Sequence, residues 1–395
     1  MRGYFQGYAD MMPSAMSQFA EQLARVIWML LSAYVIMQMQ HGSYAHAVIQ
    51  SNLAAAIGAI FGIAVLVWFL LRRRKKMNSL IASSDDQIHV STGSLFVEII
   101  EQAIPFIIID AGIQLFYLVD QYTFHPMIAG LIKASYDTIE SWYALFALNS
   151  NKLIMIIVSM ASAMAVTAIP LLSAAHTQGN YKNISKQISN TLDLFLFVMI
   201  PASFGMAAIS TPIYTIFYGY DSLGSSVLYL SSFTAISLGL FTVLMAILQG
   251  LSENGLAIKY LVLGSVIKIL LQYPMIYLFK IYGPLISTNI GMLIIIFLAI
   301  KHLEVGFNFN IGRTCRRFIG IAVFSIEMFL IVEAVEKVME IVLTPERRIP
   351  ALIIVFVSVL AGVIFYIFVT VKSKLAQKIL GSKVTNVLSK FHIRA

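Results

Sequence analysis

Residues 5–34 read FQGYADMMPSAMSQFAEQLARVIWMLLSAY, and residues 248–277 read LQGLSENGLAIKYLVLGSVIKILLQYPMIY. The two stretches align at a constant offset of 243 positions: Gln6-Gly7 falls on Gln249-Gly250, Arg25 on Lys268 and Tyr34 on Tyr277. Each copy has a polar Gln-Gly turn, a loop of small residues, and a long apolar helix with one cation near its middle. A cation inside an apolar helix is expensive to keep. Its return at one register marks an internal repeat. Membrane transporters are commonly built from such repeats, with the substrate site between them.

The rest of the chain agrees with a membrane reading. Hydrophobic residues make up 59% of it and charged residues 12%, about half the charged share of a soluble protein. Long apolar runs recur throughout, so the fold class is an all-α polytopic membrane protein. A β-barrel would instead need short alternating strands. About ten spans of ~20 residues or more are expected near 13–38, 52–71, 95–120, 143–172, 187–211, 227–249, 256–279, 283–301, 317–337 and 349–371. Residues 1–12 lack the short apolar core of a cleavable signal peptide. The one cysteine, Cys315, excludes an internal disulfide framework and a cysteine-based metal cluster.

Loop charge predicts the topology. Arg2, the run Arg72 to Lys76, Lys182, Lys186, Lys259, Lys301, Arg313, Arg316, Arg317 and the lysines from Lys372 onward fall on one side. Lys133, Lys280, Lys337, Arg347 and Arg348 fall on the other. The positive-inside rule makes the first side cytoplasmic and puts both termini there. The net charge of +8 therefore reads as topology and anionic-lipid contact, not as nucleic-acid binding. Residues 77–92 read as a linker between lobes. Residues 373–395 read as a basic tail whose Leu375, Ile379 and Leu380 suit a short surface helix.

Ionisable groups at membrane depth carry the functional expectations. Arg25 lies twelve residues past Pro13, roughly 18 Å along the helix. Ser14, Gln18, Glu21, Arg25 and Ser32 form one polar face, and Ser265, Lys268 and Gln272 repeat it. A polar stripe in a membrane helix faces protein or water, so it lines either a central cavity or satisfied pairs such as Glu21 with Arg25. Asp110, Gln114, Tyr117 and Gln121 share a helix side, with Asp120 placed near its outer end. Asp110 and Lys152 both lie ~15 Å deep, as an ion pair or with Lys152 facing substrate. Gly58, Gly62 and the alanines from Ala161 to Ala165 suit close helix approach. Pro105, Pro170, Pro201 and Pro274 read as kinks or as span ends. No phosphate-cradling Gly-rich loop is present, hence no sign of an ATP-driven motor. The seven histidines show no metal-ligand spacing. No cofactor and no enzymatic activity are expected.

These residues carry a family resemblance. Arg2 to Gly7, Pro13-Ser14-Ala15, Ser17-Gln18 and Glu21-Gln22 with Arg25 resemble the approach to the fifth helix of multidrug/oligosaccharidyl-lipid/polysaccharide exporters, in the polysaccharide-biosynthesis, stage V sporulation protein B-like branch. That branch includes lipid II flippases of the peptidoglycan pathway. Leu118 to Phe124 resembles the end of its seventh helix, Asn151 to Leu153 through Ile169 to Ser173 its eighth, and Leu248-Gln249-Gly250 with Lys268 its tenth-to-eleventh region. Gln272 departs from the expected Asn, and Asp110 is not a family residue.

The resemblance implies a two-lobe architecture like that of multidrug and toxin extruders. The organisation is then residues 1–76 as the remainder of the first lobe, 93–312 as a six-helix lobe, and 313–372 as a trailing pair bordering a groove for a polyprenyl tail. Because four spans precede the second repeat copy, four should precede the first, so part of the first lobe is expected upstream of Met1. The implied function is alternating-access flipping of an undecaprenyl-linked cell-wall or polysaccharide precursor in the bacterial cell membrane. The expected partners are that lipid-linked saccharide, membrane lipids and the cell-wall synthesis machinery. Arg25, Lys152, Lys268, Gln18 and Gln249 are the expected substrate contacts. Glu21, Asp110 and Asp120 are the candidates for proton or sodium coupling. These same acids keep open a drug or organic-cation antiporter. A non-transporting remnant or scaffold is the third reading.

Overall fold

The computed structural model describes residues 1–7, 10–39, 43–83 and 91–381. The chain forms two compact units, Met1–Thr92 and Gly93–Ala395. Among the described residues, nine stretches are long and apolar enough to cross a membrane. The ten expected spans fit into nine because two of them follow one another within Asn254–Phe307.

Among the described residues the first unit has three helices: α1 (Arg2–Gly7), α2 (Met11–Tyr34) and α3 (Tyr44–Ala82). A wider π-helical stretch, Val35–Met39, extends α2. Pro13 sits in the first turn of α2, where its missing N–H costs nothing. Two glycines let α3 approach α2. A Cβ on Gly58 would come within 2.7 Å of the Glu21 carbonyl, and one on Gly62 within 3.3 Å of the Glu21 side chain. At the far end of α3, Arg72 lies over the Trp68 ring at 4.3 Å, and Arg73 pairs with Asp10. The helix then runs on to Ala82, into what reads as linker, because no Gly or Pro interrupts residues 72–82. Residues 84–90 of that expected linker lie outside the described residues.

The second unit begins with α4 (Thr92–Asp110) and α5 (Gly112–Leu131). One span ending near 120 is expected here. Instead a one-residue turn at Ala111 separates α4 from α5, and α5 runs on to Leu131, which puts Asp120 in the middle of α5. Gly112 permits close packing at this point: a Cβ there would meet Phe241 at 2.8 Å and Leu261 at 3.0 Å. Next comes α6 (Tyr136–Ala144), capped by the Ser135 hydroxyl, which accepts from the Thr138 N–H. A π-helical turn, Leu145–Ser150, joins it without a break to α7 (Asn151–Thr177).

The remaining long helices are α8 (Tyr181–Ala208), α10 (Ser222–Gly250), α11 (Asn254–Phe279), α12 (Gly283–Phe307), α13 (Ile311–Val342) and α14 (Arg348–Lys372), with the short α9 (Ser210–Tyr218) after α8. α10 is the hub. It packs on α7, α8, α9 and α12, and twenty of its residues are buried. Asp221 caps it, accepting from the N–H groups of Leu223 and Gly224. Pro105, Pro170, Pro201 and Pro274 all lie inside helices, in their C-terminal parts and not beyond their ends.

α13 and α14 pack against α8 and α9. Arg317 pairs with buried Asp193, and the Tyr366 hydroxyl donates to the Phe197 carbonyl at 3.0 Å. Cys315 is exposed in the second turn of α13. α15 (Leu375–Leu380) is the short helix expected in the tail, with Leu375 and Ile379 packed on the core. Residues 382–395 lie outside the described residues.

Candidate functional site

The site in the second unit is built around a close helix pair. Gly264 on α11 and Gly291 on α12 face each other, and a Cβ on either would come within 2.9 Å of the other's carbonyl oxygen. One turn from that approach, Lys268 and Gln272 of α11 meet Ser287 and Thr288 of α12. The Lys268 ammonium is fully buried. It donates to both oxygens of Asp120, at 2.8 and 2.9 Å, and to the Thr288 hydroxyl at 2.5 Å. Gln272 Nε2 donates to Asp120 Oδ1 at 2.9 Å and to Thr123 Oγ1 at 3.1 Å, and Gln272 Oε1 accepts from Ser287 at 2.6 Å. The ammonium also sits 5.4 Å from the centre of the Phe116 ring. A lysine has three donors, and these oxygens account for them. Charges held in a dry interior require this degree of pairing and hydrogen bonding.

Asp120 also borders a cavity of about 220 Å³, whose polar wall is formed by Gln114, Tyr117, Asn151, Thr234 and Thr288. Tyr117 donates to Asn151 at 2.8 Å. The π-helical turn just before Asn151 is held from a second direction. Asn149 Nδ2 donates to the Tyr214 hydroxyl at 2.9 Å, and the Tyr218 hydroxyl donates to the Asn149 carbonyl at 3.3 Å. Turns of this kind recur at functional sites because they re-aim the side chains that follow. Here the next residues are Asn151, which lines the cavity, and Lys152, which is exposed.

The expected site residues thus separate. Asp120 and Lys268 come together as an ion pair, so Lys268 is not the open cation that its depth predicts. Lys152 stays exposed, and the alternative of an Asp110–Lys152 pair is not formed: Asp110 is exposed at the end of α4, and no ion pair joins the two. Gln249 is buried at the end of α10 with its Nε2 unpartnered. Next to it Gly250 seats against the Ile169 carbonyl, where a Cβ would come within 3.0 Å.

In the first unit Glu21 takes both Arg2 and Arg25, the latter at 3.3 Å. Ser17 accepts from Arg2 at 3.1 Å and donates to the Gly62 carbonyl at 2.9 Å. Gln18 is exposed. Thr123, Ser287, Thr288 and Asn151 are additions that sequence reasoning missed. The run Ser287-Thr288-Asn289 inside an apolar span was the available signal. Asn289 accepts from Ser237 and donates to Thr234, both at 2.8 Å, which ties the same wall to α10.

A second cavity of about 410 Å³ is apolar, lined by Phe197, Pro201, Met328, Val332 and Gly362 among others, where α13 and α14 meet α8.

Comparison with known proteins gives the family. Residues 1–176 match the polysaccharide biosynthesis protein family, and residues 134–346 match the lipid II flippase MurJ family. The chain is 32% identical to lipid II flippase MurJ of Bacillus subtilis over 99% of its own length and 72% of that protein's. It is 28% identical to a probable low-salt glycan biosynthesis flippase of Haloferax volcanii over 33% of its length and 28% of that protein's. A solved structure of lipid II flippase MurJ in an inward closed conformation superposes with a TM-score of 0.56 at 16% identity, covering 95% of this chain and 69% of that one. The protein is therefore a multi-pass membrane protein of the multidrug/oligosaccharidyl-lipid/polysaccharide exporter superfamily, and it belongs to the lipid II flippase MurJ family, whose members are transporters and not enzymes.

Proposed function

We propose that this chain moves a polyprenyl-linked saccharide, of the lipid II kind, across the bacterial cell membrane by alternating access. The observation that carries the proposal is the 32% identity to the Bacillus subtilis flippase along nearly the whole chain. The two cavities of the second unit support it chemically, one polar and one apolar, as an amphipathic substrate requires. The polyprenyl chain would lie in the apolar groove beside α13 and α14. The anionic headgroup would meet Lys152, an exposed cation with no ion-pair partner among the described residues. Arg25 is a weaker contact than Lys152, because Glu21 already holds it. Gln18 is exposed and can reach a headgroup, whereas Gln249 is buried and would act only after helices move.

Both termini face the cytoplasm in this reading, by the positive-inside rule. Coupling is to a proton or sodium gradient or to the membrane potential, through Glu21, Asp110 or Asp120. The test is depletion in the parent cell, followed by identification of the lipid-linked intermediate that accumulates. Build-up of lipid II on the cytoplasmic leaflet is expected. Build-up of a different lipid-linked glycan would move the assignment to that glycan, and no build-up at all would reject transport.

A further inference from the structure

A third cavity of the second unit has a different lining. It measures about 620 Å³ and opens where the loop between α9 and α10 meets the turn between α11 and α12. Tyr220 comes from the first of these, Tyr282 from the second, and Tyr229 from the second turn of α10. Ser210, Thr211, Ser222, Ser225 and Ser226 line the same cavity. Among the described residues, no carboxylate or ammonium lines the cavity. The charged neighbours in sequence are held elsewhere: Asp221 caps α10, and Lys280 donates to the Tyr277 carbonyl at 3.0 Å while lying over the Tyr277 ring.

This lining selects a ligand class. An anion such as a pyrophosphate would lose its hydration here without meeting a countercharge. An alkyl chain would strand the hydroxyls, and the apolar groove at α13 and α14 suits it far better. A sugar ring satisfies both parts of the wall. Its hydroxyls bond to serine, threonine and tyrosine, and its C–H faces rest on the electron-rich faces of the aromatic rings. The volume falls within the usual range for a small-ligand pocket, about 300–1,000 Å³. Tyr220 and Tyr229 are 51% and 42% exposed, so the rings are open to an arriving ligand.

We infer that this cleft is a binding station for an uncharged saccharide ring. It is distinct from the cation that meets the anionic part of the substrate, and it lies at the end of the bundle that the charge rule puts outside. The inference rests on the flippase reading for its biological role, but not for its chemistry.

The test uses the full chain in nanodiscs free of glycoside detergents, with N,N′-diacetylchitobiose as the probe and saturation-transfer NMR as the readout. Transfer to the sugar-ring protons is expected in the parent protein. It should be lost in Tyr220→Ala with Tyr229→Ala and largely kept in Tyr220→Phe. A thermal melt of each variant separates loss of binding from loss of folding. No transfer in the parent protein, or equal transfer in a folded double variant, overturns the inference. A lipid flipping assay on the same samples separates the two proposals: flipping without sugar binding defeats only the station, and sugar binding without flipping defeats only the transport reading.

Discussion

Lys268 and Lys152 are both lysines inside apolar helices of the second unit, and they are in opposite states. Lys268 is saturated by Asp120 and Thr288. Removing it alone, as in Lys268→Met, leaves a buried carboxylate without a countercharge and should cost about 3–5 kcal/mol. Adding Asp120→Asn to that variant should restore most of the loss, because no bare charge then remains. Thermal unfolding in nanodiscs checks both, and a double variant no better than the single one would show that the pair is not the stabilising unit. Lys152 should behave the other way. Lys152→Gln is expected to lower lipid II flipping by about tenfold or more, the worth of one charge-assisted hydrogen bond. Its stability should stay within about 0.5 kcal/mol of the parent, as at other exposed positions. Proteoliposome flipping set against melting temperature separates the two effects.

Among the elements, the α11–α12 contact is the most sensitive. Gly264→Val brings a Cβ within 2.4 Å of the Ile295 side chain and 2.9 Å of the Gly291 carbonyl oxygen, so overpacking of about 1–3 kcal/mol is expected. The same change pushes Lys268 away from Thr288, and melting curves should show both losses together.

The spans themselves were legible, because a bilayer core is what requires uninterrupted apolar runs of that length. So were Gly58 and Gly62 as points of close approach. The turn at Ala111 was not, since the apolar pattern runs through it. Nor was the extra residue of the π-helical turn, which leaves no periodic trace. Lys268 was singled out by depth and Asp120 only as a coupling candidate near the outer end of its helix, and their pairing spans 148 residues. It follows from helix packing, which periodicity does not encode. The pairing of Glu21 with Arg25 was visible because both lie on one helix, four residues apart.

For the whole molecule, the energy source is the first question. With no nucleotide motif in the sequence, flipping in sealed vesicles should stop when the ion gradient and membrane potential are collapsed, and it should not require ATP. Flipping that persists after collapse, or that begins only on adding ATP, would contradict gradient coupling. The second question is sidedness, and here one residue gives the protein a built-in tag. Cys315 is the only cysteine in the chain, and it is exposed near the start of α13. No engineered thiol is needed, so the unmodified chain can be probed in intact cells. A maleimide that cannot cross the membrane should leave Cys315 unlabelled from outside and label it once the cells are opened. Labelling from outside would invert the topology and, with it, the direction in which every cavity described above is loaded and emptied.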